Sequence, residues 1–476
     1  MTLAVTPQSA DRLQYSLQLV QRLIERQREL EAPPRSDDGE PGAASARENL
    51  AELRDKLAQL HPADIARVLE ALPLEDRLLA WRLIEPLRDG AILLEVSDAV
   101  LESLVEAMAP GQLVAILAAL DTDDMAELAP HLPRHVVYEA MGRLDEEARG
   151  QLQEVLSYEE DRVGALMDFE LVKIRADVSC EVVLRYLRRF DELPNQTDKI
   201  FVTDEAGRLR GVLPIRKLLV SDPEAMVADA MATEVVSFHP DEPALDAAQA
   251  FERYDLVTAP VVDERGALLG RLTVDAMVDV IREEGDSEVL NLAGLKEEED
   301  LFAPVMDSVR NRWAWLAINL CTAFFASRVI GAFEHSIAQL VALAALMPIV
   351  AGIGGNSGNQ TITMIVRALA MGQMRTGQAG RLWRKELGVS VINGMVWGSV
   401  IGAVAWLLYG NVSLGLVMLA AMTLNLMLAA TMGVLIPTLM QKLGKDPALG
   451  SSVLITACTD SGGFLIFLGL ATLFLL

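Results

Sequence analysis

Apolar residues recur along this chain with different periods, and each period predicts a different kind of element. Residues 61–76 (HPADIARVLEALPLED) and 109–124 (APGQLVAILAALDTDD) share one pattern at a spacing of 48, with apolar residues at 65, 68, 69 and 72 and again at 113, 116, 117 and 120. Recurrence at three and four residues marks one face of a helix. A half-period copy runs from Pro86 to Val96 and another ends at Leu144, which predicts a 24-residue repeat of short amphipathic helices. One such unit cannot bury its apolar face alone, so the repeats are expected to stack into a superhelical array, with an ordinary helical bundle as the alternative. Residues 1–50, with Pro33-Pro34 and a polar run through Gly42, are expected to be a partly flexible segment before it. Further on, IFVTDEAGRLRGVLPIRKLL (200–219) aligns with APVVDERGALLGRLTVDAMV (259–278) at a spacing of 59, so that Asp204, Gly207 and Gly211 meet Asp263, Gly266 and Gly270. Each copy reads as an apolar strand, an Asp-x-x-Gly turn, a second strand and a helix.

From Trp313 the polar positions thin out. Apolar runs there reach the length of about 20 residues that a helix needs to cross roughly 30 Å of hydrocarbon. Five spans are expected, near 312–333, 337–366, 387–409, 412–440 and 448–475. Arg367, Arg375, Arg381, Arg384 and Lys385 lie between the second and third, and Lys442 and Lys445 between the fourth and fifth. The connections around Glu334-His335 and Gly410-Asn411 carry no Lys or Arg. The positive-inside rule then puts the first 310 residues in the cytoplasm and the C-terminus outside. Trp313, Trp315 and Trp383 fall at the expected cytoplasmic edges. No basic stretch followed by an apolar one opens the sequence, so insertion is expected from the later segments.

Charge sharpens this division. Residues 1–310 hold 63 of the 67 acids and 32 of the 41 bases, a net charge of −31, while the remainder carries +5. So acidic a surface repels phosphate backbones, which excludes nucleic acid as a partner, and it attracts divalent cations. Cys180, Cys321 and Cys458 share no metal-binding or disulfide spacing and are expected to be free thiols.

Two intramembrane features carry candidate chemistry. The second span contains Pro348-Ile-Val-Ala-Gly352-Ile-Gly354-Gly355-Asn356-Ser-Gly358-Asn359-Gln360. Glycines at this density weaken a helix, and broken backbone is tolerated at membrane depth only where it is buried or lines a wet cavity. Opened carbonyls with the amides of Asn356, Asn359 and Gln360 would suit a hydrated cation; close packing through small residues is the alternative. Asp460 lies near the middle of the fifth span, where a carboxylate costs roughly 2.5–3.5 kcal/mol on insertion scales. It is expected to meet a permeating cation, a structural pair with Arg328 being the alternative. Mg2+ holds its waters tightly and suits carboxylates and amides acting through water.

The duplicated strand-turn-strand unit resembles a tandem pair of CBS domains. In that family a Gly-h-h-Thr-x-x-Asp run contacts adenosine nucleotides; Gly270, Thr273 and Asp275 match its start, but Ala276 stands where the final acid is expected, so ATP at Thr273 and Asp275 is only an alternative ligand. Phe333-Glu334, Pro348 to Gln360, Asp446-Pro447-Ala448 and Asp460, preceded by helical repeats and the CBS pair, resemble the MgtE family of Mg2+ channels along nearly the whole chain. The fold this implies is an α-helical transmembrane bundle (5 helices) with a cytoplasmic all-α superhelical N domain and α/β tandem CBS domains. Its expected parts are a flexible segment 1–50, the helical-repeat domain 51–160, the CBS pair 161–286, a connecting plug helix 287–311 and the membrane domain 312–476. The resemblance implies a homodimeric, Mg2+-selective channel of the inner cell membrane, in contact with lipid, that mediates passive uptake. Its pore would be lined by the second and fifth spans, with Pro348, Gly354, Gly355, Asn356, Asn359, Gln360 and Asp460 along the ion path. It also implies closure by Mg2+ bound at cytoplasmic carboxylates, for which Asp275, Asp279, Glu283, Glu284, Asp286 and Glu288 are candidates, with Asp255 and, on the facing repeats, Asp121, Asp123 and Asp124. From composition alone such a charge run is a solvated face. The family's second acid at 276 is Ala276 here, and the acid often found at 287 is Ser287. No ATP-hydrolysing motif occurs and no enzyme activity is expected. The rival readings are a cation-coupled antiporter and a membrane-anchored Mg2+ or nucleotide sensor without transport.

Overall fold

The computed structural model describes residues 8–31, 42–295, 302–370, 379–443, 447 and 451–476. The chain divides into two compact units that part between Gly285 and Asp286.

The first unit opens with helices α1 (Gln8–Glu31) and α2 (Gly42–Gln59), which pack on each other. Val20, Leu23 and Ile24 of α1 are buried, and the Asn49 amide donates to the Leu23 carbonyl at 2.8 Å and to Gln27 at 3.0 Å. Leu17, Val20 and Ile24, spaced three and four apart, give α1 an apolar face, and α2 lies against it. Pro33-Pro34 lie outside the described residues.

Short helices then follow from Pro62 to Val155, most of them packed against the next but one. The repeat is real at the level of burial: Ile65, Val68, Leu69 and Leu72 are in the core, as are Leu113, Ile116 and Leu117, with Leu120 packed against them. A buried guanidinium ties successive repeats. Arg77 Nε donates to the Leu69 carbonyl and one terminal nitrogen to Leu72, and Arg149 makes the same two bonds to Met141 and Leu144. The two arginines are 72 residues apart, three of the predicted periods, and each adds side-chain donors to carbonyls where a short helix ends. Among these helices, α3 (Thr122–Leu128) matters for the site.

The duplicated unit forms two sheets. In one, β1 (Lys173–Arg175) is parallel to β2 (Lys199–Thr203), which pairs antiparallel with β3 (Leu209–Pro214). After α4 (Ala244–Tyr254), the other is the antiparallel pair β4 (Thr258–Val262) and β5 (Leu268–Thr273). The Asp-x-x-Gly turns behave as their chemistry requires. Asp204 accepts from the Ala206 and Arg208 amides, Asp263 from Arg265 and Ala267, and Gly207 and Gly266 adopt φ of 75° and 77°. The turns pair with each other, Leu209 N–H to Gly266 at 2.9 Å and Leu268 N–H to Gly207 at 3.0 Å. The pseudo-symmetry of the sequence is therefore that of the fold.

Helix α5 (Val274–Ala293) runs on from β5 and continues past Gly285. The division between the two units thus falls within this helix. Part of the expected plug, 296–301, lies outside the described residues, and its end is the start of α6 (Val305–Gly331). The second unit continues through a short helix, Glu334–Gln339, to α7 (Ala342–Ala370), α8 (Ala379–Tyr409), α9 (Val412–Lys442) and α10 (Ser451–Leu475). Among the described residues, four segments are long and apolar enough to cross a membrane: Ser308–Gly331, Ala379–Tyr409, Val412–Lys442 and Ser451–Leu475. Helix α7, of 29 residues, has the length, but its Gly-Asn-Gln segment lowers its hydropathy. Helix α9 packs against α7, α8 and α10. Arg375, Lys445, Asp446 and Ala448 lie outside the described residues.

Candidate functional site

The second unit corrects the expected break in the second span. Helix α7 is continuous from Ala342 to Ala370, through Pro348 and every glycine of the motif, so no opened carbonyls line a path there. Three of its four glycines face inward instead, Gly352 being exposed. Gly354, Gly355 and Gly358 are buried, and a Cβ on Gly358 would stand 2.6 Å from Ile455 of α10. Helices in lipid gain by close packing, and small residues allow it. The amides point elsewhere. Asn356, Asn359 and Gln360, with Thr363, Met364, Arg367 and Ala368, line an open cleft of about 980 Å³ along one face of α7. Asn359 also accepts from the Ser452 hydroxyl of α10 at 3.2 Å. Within the motif, buried glycines thus pack against neighbouring helices while the amides line the cleft.

Asp460, on α10, is part-buried and makes no ion pair or hydrogen bond among the described residues, so the alternative pair with Arg328 is not formed. It is not among the residues lining the α7 cleft. Pro348 is exposed and likewise outside the cleft.

In the first unit, α3 and the start of α5 bring acids from distant parts of the sequence together. Burial raises Asp124 to about 6, and Asp123, Asp121, Asp168 and Asp275 add repulsion. Glu127 is pushed up to about 7 by desolvation and then by Asp124, Asp279, Asp123 and Glu95. Much of Glu127 is open to water, so screening reduces the strain its shift implies. Asp279 is raised by desolvation against the pull of Arg282, with Asp275 and Glu95 adding. Glu283 is raised by desolvation and by Asp98 and Glu160. Asp255 has a different place, as the exposed C-cap of α4 with φ of 51°. Asp286 and Glu288 belong to the second unit, and Glu284 and Asp286 have partners of their own. Among the described residues no three carboxylates, histidines or cysteines converge closely enough to hold a bare metal ion. Thr273 ends β5, opposite Thr258, and Asp275 belongs to the acidic set.

Glu127, Glu95, Asp168 and Arg271 had no signal as isolated residues. Arg271, 3% exposed, is a buried cation at this face. Its Nε and a terminal nitrogen meet Asp168 Oδ2 at 2.7 and 2.6 Å, and the two backbones exchange N–H to carbonyl bonds of 2.9 Å. It also pulls Asp123 and Glu170 down against the burial that raises them. Removing one partner strands a buried charge, so Arg271→Ala is expected to cost about 3–5 kcal/mol. The check is thermal melting, in which Asp168→Leu combined with Arg271→Met should recover much of the loss.

The raised carboxylates set a pH dependence. With folded pKa values of about 6 for Asp124 and about 7 for Glu127, the folded state holds more protons than the unfolded chain above pH ~4. The contribution of these two groups to stability then falls as pH rises from about 4 through 7. Without divalent cations the first unit of the full chain is expected to melt at a lower temperature at pH 8 than at pH 5. Mg2+ should shrink that difference, which differential scanning fluorimetry in detergent would read.

Comparison with known proteins fits both halves. The description "Divalent cation transporter" belongs to a family model that matches residues 347–470, the MgtE intracellular N domain matches 60–161, and a CBS domain matches 227–283. The magnesium transporter MgtE of Thermus thermophilus is 33% identical over 430 residues, covering 89% of this chain and 95% of that protein. This chain belongs to the MgtE family. The MgtE of Bacillus subtilis is 29% identical over 89% of this chain and 94% of its own length. A crystal structure titled as the cytosolic domain of the Mg2+ channel MgtE in complex with ATP matches 50% of this chain and 99% of its own at 33% identity, with a TM-score of 0.45. The CBS match falls on the second copy, although the hydrogen-bonded turn recurs in the first.

Proposed function

We propose that this MgtE-family chain carries Mg2+ passively into the cell through its second unit and is closed by Mg2+ acting on the acidic face of its first. The observation that carries the reading is Asp460, a carboxylate in the apolar helix α10 with no cation paired to it among the described residues, beside a helix whose amides line a cleft. The membrane potential supplies about 2.3 kcal/mol per charge per 100 mV, hence about twice that for a divalent ion. Amides and a carboxylate acting through the ion's own waters need not strip it. The acidic face supports regulation for a related reason. Its carboxylates repel without reaching bare-metal distances, so a hydrated divalent cation between α3 and α5 would remove the strain. A nucleotide at Thr273 and Asp275 would have to bring its own cation, because Asp275 acts on Asp124.

The assembly we propose is a homodimer in the inner membrane, with the first unit cytoplasmic and the C-terminus outside. In a variant lacking its native cysteines, Ser413→Cys should react with an impermeant thiol reagent from outside and Lys442→Cys only from the cytoplasm. The reverse pattern would put the acidic unit outside the cell and end the gating proposal. Proteoliposome uptake tests the transport mode: Mg2+ influx should follow an imposed potential and need neither a Na+ nor a proton gradient. Dependence on such a gradient would make the protein a coupled transporter.

A further inference from the structure

Asn425 interrupts the apolar run of α9 and is fully buried. Its Nδ2 donates to the Val350 carbonyl of α7 at 2.9 Å. A Cβ on Gly354 of α7 would overlap this amide, and a Cβ on Gly463 of α10 would stand 2.7 Å from it. The side chain thus occupies space that exists only because two neighbouring helices each lack a Cβ there. Its Oδ1 is buried with no hydrogen-bond partner among the described residues, as is the Ser461 hydroxyl. An unpaired buried acceptor is a net cost that an apolar residue would avoid, so packing alone does not account for an amide here.

We infer that Asn425 is a positioning residue for the ion path. Resting on the transport reading above, the inference concerns how α7 and α10 are held. Gly354 is two residues from Asn356, and Gly463 three residues from Asp460. The amide clamps α7 through Val350 and seats both helices at the depth of those residues. It sets the rotation of α7, which turns Asn356 and Asn359 to the cleft while Gly354 and Gly358 face the packed interior. Asn425 touches no ion; its effect passes through α7.

The test uses the full chain in proteoliposomes, with Asn425→Ala, Gly354→Ala and both together. Gly354→Ala alone should lower the melting temperature, because its Cβ meets the amide, and the double variant should recover it, because the amide is gone. The positioning role is read separately, from the Mg2+ concentration for half-maximal uptake against the maximal rate. In Asn425→Ala and in the recovered double variant the half-maximal concentration should rise by roughly tenfold, the scale of a small misplacement of binding groups. A double variant with recovered stability and wild-type uptake would make Asn425 a spacer and overturn the inference. So would a Gly354→Ala protein indistinguishable from wild type. If the double variant does not fold, Asn425→Ala alone decides by the same shift. Absence of Mg2+ uptake by the wild type would overturn the transport reading and this role with it, whereas the melting compensation reports the seam independently.

Discussion

Replacing Asp460 with alanine should lower Mg2+ influx in proteoliposomes by at least about tenfold while the protein remains folded. The expectation follows from charge and depth. A carboxylate about 5 Å from a hydrated divalent ion attracts it by about 6 kcal/mol at an effective dielectric of 20. A quarter of that exceeds the roughly 1.4 kcal/mol worth a factor of ten in rate. Since Asp460 has no ion pair or hydrogen bond among the described residues, its removal strands no partner and relieves an insertion cost. Melting temperature should be unchanged or higher. Asp460→Asn, of equal size, should resemble alanine in flux, which separates charge from volume. Wild-type influx in both variants would take Asp460 off the path.

Neutralising Asp124 and Asp279 together, as asparagines, should flatten the dependence of influx on cytoplasmic Mg2+ and shift any remaining midpoint by about tenfold or more. The two lie on helices from different domains of the first unit and share the neighbours Glu127 and Asp275. Like charges about 4 Å apart cost on the order of 4 kcal/mol at a dielectric of 20 before screening. An ion that removes this repulsion favours the compact arrangement, and it can shift the gate only by its differential affinity for that arrangement. With the repulsion abolished, little is left for Mg2+ to relieve. Protection of residues 160–285 from protease by Mg2+ should weaken in parallel. Closure at the wild-type concentration would show that this face is only solvated, and that the sensor must be sought at Glu284, Asp286 and Glu288.

The candidate site was partly legible in advance. Asn356, Asn359 and Gln360 stand out as amides clustered in an apolar segment, and Asp460 as a carboxylate in another. Asn425 carried a comparable signal, a single amide within an apolar span, but a reading attentive to charge and glycine passes over it. The acids of α3 were legible only through family resemblance, and Glu127 and Arg271 not at all. Nothing local distinguishes Arg271 from any surface arginine until Asp168, over a hundred residues away, is placed against it.

What the sequence determined by itself is what neighbouring residues decide among themselves. The period of Ile65, Val68, Leu69 and Leu72 makes a helix with one apolar face, the Asp-x-x-Gly runs close hairpins, and long apolar stretches such as 412–440 make helices suited to a bilayer. Only the tertiary structure decided how such elements meet. Glycines that weaken an isolated helix leave α7 unbroken, because α9 and α10 fill the space beside them and a helix in apolar surroundings keeps its backbone paired. The apolar face of α1 becomes core because α2 lies against it, and carboxylates of α3 and α5, distant in sequence, repel one another because the fold brings them together. Period and turn chemistry act over a few residues, whereas packing and electrostatics act between surfaces whose pairing no short stretch of sequence encodes.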